Sequence, residues 1–233
     1  MKKLILLFAV LLIELLGTHS FAQAFKRNNL IINGGIGAGI GYGYRNFTAA
    51  NLNHSSGEFY DLDFNYSVGV FFPVSAEYAI SNKFGVGALF QHGSYVNTNA
   101  ATSSSNNIGV FGAFHFARKE KLELYTRLSV GISNWNFKEV NDNYIYTASS
   151  NNYITSTDGA FTYKLKGAFV KPSFGMRLYF SKHIGFFADA GFGIYSSRTD
   201  KVQTDTGTYD LPGKSMVLVM FNFELSTGLA VKF

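Results

Sequence analysis

The sequence contains no cysteine, which excludes a disulfide framework and a lipid-anchored cysteine. Beyond Leu16 it has no apolar run near the ~20 residues that a helix needs to cross a bilayer, so insertion into a membrane would have to use strands. It also lacks a basic run. The formal net charge is +5 and the pI about 9.2, but the cations are scattered, which argues against nucleic acid as a partner. Charged residues of all kinds make up only 15% of the chain, whereas 24 Gly, 24 Phe and 14 Tyr are present.

The first residues read as an address. Lys2 and Lys3, the apolar run from Leu4 to Leu16 and the small-residue site Ala22-Gln23-Ala24 form the three regions of a secretory signal peptide. The run is too short to span a membrane and is broken by Glu14. Cleavage is expected after Ala24, with Ala22 as the competing site. This gives a signal peptide over 1–24 and a mature domain over 25–233.

Glycine sets the next question, because "INGGIGAGIGYGYRN" places Gly35, Gly37, Gly39, Gly41 and Gly43 at every second position. A dinucleotide-binding loop needs a wider last spacing and a following helix, and neither is present. Period two is the geometry of a strand. One face carries Leu30, Ile32, Ile36, Ala38, Ile40 and Tyr42; the other is stripped to glycine. The same alternation recurs over Phe64–Ile80, Phe84–Phe90, Ile108–Ala117, Leu122–Ile132, Ala168–Phe180, Ile184–Ile194 and Val217–Phe233, making eight strands in all. Pro73 and Pro172 fall inside two of them and predict local bulges.

Charge decides what the apolar face meets. No Asp, Glu, Lys or Arg falls on it, while Arg45, Glu77, Glu123, Arg127, Lys171, Arg177, Asp189, Glu224 and Lys232 all fall on the other. A basic side chain facing lipid at mid-depth costs about 2–4 kcal/mol. The second face is mostly Gly, Ser and aromatics with few charges, which suits a narrow lumen better than a water-facing surface. The links alternate in length as well: short ones around Ser81-Asn82-Lys83, Arg118 to Lys121 and Ser181-Lys182-His183, and long ones over 46–63, 94–107, 138–167 and 196–215. Tyr78, Phe84, Phe180, Phe186 and Phe233 cluster near the short turns, and Tyr42, Tyr44, Phe64, Tyr66 and Phe90 near the long loops, as two interfacial girdles. The reading is all-β: a closed antiparallel up-and-down transmembrane β-barrel of eight strands. Ten strands are possible if "YIYTASSNNYIT" supplies another hairpin.

The export signal, the eight alternating strands and the closing "FELSTGLAVKF" resemble small outer-membrane barrels of the OmpA-barrel, OmpX and PorT-like kind. The resemblance covers roughly Leu30 to Phe233 and is architectural. It implies residence in the outer membrane, among lipid and lipopolysaccharide. It also implies that Phe223, Leu225, Leu229, Val231 and Phe233 form the C-terminal signal read by the barrel-assembly machinery.

The inward charges Glu77, Arg127, Lys171, Arg177, Asp189 and Glu224 are expected to form a mixed-sign cluster in the lumen, with Arg177 and Asp189 as a pair. Buried charges survive only when paired. The glycine face of the first strand is expected to make room for Phe71, Phe111, Tyr125, Arg127, Phe169, Arg177 and Tyr179. A filled lumen and a structural or surface-interaction role through the loops follow from this; the alternative is a narrow channel for small ions or solutes. Tyr144, Tyr146, Tyr153 and Tyr163 in the longest link are candidate contacts for a surface ligand. His92-Gly93-Ser94 vaguely resembles the His-x-Ser of lipid A deacylases, but a base needs an orienting acid, and only Glu58, Asp61 or Asp63 offer one. His54, His92, His115 and His183 are dispersed, so neither a metal site, a cofactor nor an enzyme is expected.

Overall fold

The structure is a computed structural model of the chain that describes residues 24–49, 64–97, 102–119, 121–140, 144–147, 152–155, 160–210 and 214–233. The expected signal peptide lies outside these, apart from Ala24. The strands are β1 (Leu30–Ala49), β2 (Phe64–Ala79), β3 (Phe84–Asn97), β4 (Thr102–Arg118), β5 (Leu122–Val140), β6 (Tyr144–Thr147), β7 (Asn152–Thr155), β8 (Ala160–Tyr179), β9 (Ile184–Thr199), β10 (Lys201–Thr204), β11 (Gly207–Asp210) and β12 (Lys214–Lys232). Eight of them, β1-β2-β3-β4-β5-β8-β9-β12, pair antiparallel in that order, and β12 pairs back onto β1 to close the barrel. The segment read as a possible fifth hairpin is β6–β7, which forms a separate two-stranded sheet. The barrel therefore has eight strands, not ten.

One layer of partners shows both the closure and its polarity. From Ile32 the register runs through Ala76, Ala88, Val110, Val130, Val170, Ile194 and Phe221, and ends at Tyr42, a stagger of ten residues along β1. Such a stagger tilts the strands by about 35–45° to the barrel axis. Every member of that layer is apolar, and the layer faces outward: Val110 is 61% exposed and Leu225, on the same surface, 52%. Alternate residues turn inward, where Glu77, Glu123, Arg177 and Tyr125 are all 0% exposed. The core is thus the barrel's interior, and the charges lie in it.

The strands extend further than hydropathy alone predicts. β3 runs to Asn97, β4 begins at Thr102 and β8 at Ala160. Where both faces are polar the alternation loses its contrast, yet the backbone ladder continues, as in Ser104 opposite Asn136.

Neither proline makes a bulge. Pro73 stays in register with Gln91 of β3, and Pro172 with Leu128 of β5. Each only interrupts the ladder on its other side, between Gly34–Val74 and Gly37–Phe71 in one case and between Val170–Ile194 and Ser173–Gly191 in the other. The missing N–H costs a short stretch of ladder on one neighbour, while the second neighbour keeps the register. The register shift is instead at His115–Ala117, between β4 and β5.

Room for the large inward rings is spread round the wall rather than supplied by β1 alone. A Cβ at Gly37 would strike the ring of Phe71, and one at Gly35 the ring of Phe187. Tyr125 lies against Gly175, Phe111 against Gly87, and Phe169 against Gly109 and Gly131.

Residues 24–29 fold under the turn end of the barrel. The Asn28 amide, in a left-handed conformation (φ 71°), donates to the Ala79 carbonyl at 2.9 Å, and the Arg27 amide to Asn82 Oδ1 at 2.9 Å. Phe25 is fully buried there, beside Ile31 and Ala79.

Candidate functional site: the barrel lumen

Nearest the short turns, Arg177 of β8 spans the lumen. Its Nη2 donates to Glu77 Oε2 of β2 at 2.5 Å and its Nη1 to Glu123 Oε1 of β5 at 2.7 Å. Glu123 is its direct cross-strand neighbour, whereas Glu77 stands on a strand that does not pair with β8. His115, beside the bulge, completes the ring, with Nε2 at 2.7 Å from Glu77 Oε1 and Nδ1 at 2.5 Å from Glu123 Oε1. The guanidinium lies 4.4 Å over the Tyr125 ring. Phe25 closes this level from below by stacking on His115, with centroids 3.5 Å apart and planes 13° from parallel.

A second level holds Asp189. It accepts from Tyr125 Oη at 2.7 Å and from Arg127 Nη2 at 2.9 Å. The expected Arg177–Asp189 pair is therefore corrected. Asp189 lies opposite Gly175 and Arg177 opposite Phe187, so the two charges are offset along the β8–β9 hairpin and each takes another partner.

At the third level Lys171 Nζ donates to Glu224 Oε2 at 3.0 Å and to Gln91 Oε1 at 2.5 Å, while Tyr195 Oη donates to Glu224 Oε1 at 2.6 Å. Above it the interior turns aromatic: Tyr95, Trp135, Phe161, Tyr163 and Phe169 join one buried cluster. Trp135 packs edge-on against Tyr195 at 5.6 Å.

All six charges picked out from the sequence thus sit in the lumen, at three levels. Glu123, His115 and Gln91 complete the networks. Glu123 and His115 were legible as inward-facing, but nothing in the sequence tied them to Arg177. Tyr163 is corrected: it belongs to β8, is 3% exposed and packs inside, so it is not a loop contact. Tyr144, Tyr146 and Tyr153 lie on the β6–β7 hairpin, with Tyr146 opposite Tyr153; their side chains are outside what the structure describes. Phe223, Leu225 and Leu229 are exposed on the outer face of β12, where Val231 is half-buried, and Phe233, just past its end, is exposed as well.

His92 points outward with Nδ1 2.8 Å from Asn106 Oδ1. No acid orients it among the described residues, and Glu58, Asp61 and Asp63 lie outside them.

In overall shape the chain is similar to the outer membrane protein OprG of Pseudomonas aeruginosa. The TM-score is 0.57 at 10% sequence identity, over 90% of this chain and 97% of that one. It has the fold of a small outer-membrane barrel. Weaker likeness in shape links it to the outer membrane protease OmpT of Escherichia coli (TM-score 0.47, 9% identity, 93% of this chain and 99% of that one). The same holds for Neisserial surface protein A (TM-score 0.42, 15% identity, 86% and 97%). No family model and no curated protein matches the sequence. An outer-membrane barrel needs an apolar exterior and a polar interior, and this one has both. Its exposed belt of Ile, Val, Leu and Phe belongs in hydrocarbon, and the fold is that of proteins of the outer membrane.

Proposed function

We propose that the protein is a structural or surface-interaction component of the outer membrane, with a lumen closed by its own side chains and a working surface on its long loops. The observation that carries this reading is Arg177, fully buried and bridging opposite walls between Glu77 and Glu123. An eight-stranded barrel has room for its inward side chains and little more. Here those side chains neutralise one another instead of offering unpaired charge to a passing solute.

Export directed by residues 1–24 belongs to the same proposal. So does assembly by the barrel machinery through Phe223, Leu225, Leu229, Val231 and Phe233, a role that suits their position on the outer face and just past the end of β12. Lipid and lipopolysaccharide surround the barrel, and a surface ligand meets the link between β5 and β8, with Tyr144, Tyr146 and Tyr153 as its contacts. The reading includes no catalytic step and no cofactor.

The test is conductance of the purified barrel in a planar bilayer, with and without residues 141–159. We expect no steady current from either form, and loss of surface binding in the shortened one. A steady current that persists after the loop is removed would instead make the protein a narrow channel.

A further inference from the structure

Beyond the apolar belt, on the outer face of three neighbouring strands, stands a group of cations. Lys166 of β8 lies directly opposite Arg198 of β9. Lys164 is the next outward residue along β8, and Lys138 of β5, opposite Thr162, is its diagonal neighbour. All four are exposed, and none has an acidic partner among the described residues. Like charges directly opposite one another on a sheet face disfavour the pairing, so the arrangement is best satisfied by an external anion.

The backbone adds another cation on purpose-built geometry. Lys166 faces Arg198, but Tyr163 faces Val202, so the register against β8 moves by one residue between them. That extra residue leaves Asp200 and Lys201 both exposed in succession. Thr199 holds the irregularity: its hydroxyl accepts from the Lys201 amide at 3.1 Å and donates to the Lys201 carbonyl at 3.2 Å. Lys201 is drawn to Asp210 at 3.3 Å, a contact open to solvent. Lys164, Lys166, Arg198 and Lys201, with Asp200 the one acid among them, line a cleft of about 340 Å³, so cations outnumber acids there.

Height identifies the anion. Twelve residues of β9 separate Phe186, in the girdle at the turn end, from Arg198. At about 3.4 Å per residue and a tilt of ~40°, that is about 31 Å along the membrane normal, against an apolar band of about 25 Å. Lys166 and Arg198 therefore stand just above the hydrocarbon. Val170 and Ile194 continue the same surface down into it, at 43% and 40% exposure. A ligand for this face carries negative charge at headgroup level and acyl chains beneath, and it arrives sideways through the membrane rather than from the loops.

We propose that Lys138, Lys164, Lys166 and Arg198 bind the phosphate groups of an outer-leaflet glycolipid, whose acyl chains lie against Val170 and Ile194. This rests on the reading of the chain as a membrane-embedded barrel. The test is native mass spectrometry of the full barrel, released in detergent and titrated with bis-phosphorylated lipid A or its dephosphorylated counterpart. The protein is expected to retain the phosphorylated lipid preferentially, and Lys166→Gln with Arg198→Gln to weaken that retention about tenfold or more. Lys83→Gln with Lys182→Gln, at the opposite end, is expected to change nothing. Equal retention of the two lipids, or an unaltered affinity in the Lys166/Arg198 variant, would overturn the proposal. Displacement of the lipid by low-millimolar inorganic phosphate would assign the cluster to a soluble anion and overturn it too. Heat-dependent gel mobility of the same samples separates these failures from failure of the barrel reading, which would show as no shift in the unmodified protein.

Discussion

At the scale of the residue, Arg177 concentrates the argument. It is surrounded by Glu77, Glu123 and His115 with no exposure to solvent. Taking one partner from a buried ionic group strands the others in a low dielectric, at a cost of about 3–5 kcal/mol. Arg177→Met is expected to lower the stability of the vesicle-folded barrel by about that much, read as the midpoint of urea unfolding. Adding Glu77→Gln and Glu123→Gln is expected to recover part of the loss, since the stranded carboxylates are then gone. A single variant as stable as the parent would mean that water reaches this level and solvates the acids. The inward face of Arg177 is legible from period two alone. Its partners are not: Glu77 stands on a strand that β8 never pairs with, so that bond crosses the lumen, and Glu123 comes opposite Arg177 only through a β5–β8 register set across a long link.

At the scale of the element, the prolines are instructive. The loss of a donor at Pro172 suggests a bulge, yet β5 holds β8 in register and only the β9 side of the ladder is interrupted. Pro172 faces outward among apolar neighbours. Pro172→Val therefore keeps a lipid-compatible side chain and returns an N–H aimed at β9. The expected gain is about 0.5–1.5 kcal/mol, seen as a higher unfolding midpoint together with slower amide exchange along β8 and β9. A drop in stability would show that the local geometry depends on the fixed proline angle. Strand ends teach the complementary lesson. The Thr102–Asn107 stretch carries no hydropathy contrast, and its strand character comes from β3 and β5 on either side.

At the scale of the whole molecule, the barrel is closed below by a residue from outside its strands. Phe25 stacks on His115 and is itself fully buried. Phe25→Ala is expected to open that mouth and make His115 reactive toward diethylpyrocarbonate in the folded barrel, whereas peptide mapping of the parent is expected to find the buried His115 untouched. Protection that survives the substitution would mean that Ile31 and Ala79 already seal this end.

The two-faced strand pattern and the assignment of lipid to one face and of the buried charges to the other follow from the sequence alone, because alternation along a strand is a local property of the backbone; the choice of eight barrel strands over ten does not, since it depends on whether β6 and β7 pair into the ring. Tertiary structure alone decided which charge meets which. Closure with a stagger of ten residues sets the depth of every inward side chain relative to strands far away in the chain. The same closure moved Asp189 to Arg127 and drew Tyr163 inside, because register across long links belongs to the ring as a whole and not to any one segment of it; Lys166 meets Arg198 through the register of the short β8–β9 hairpin, carried beyond the expected strand ends.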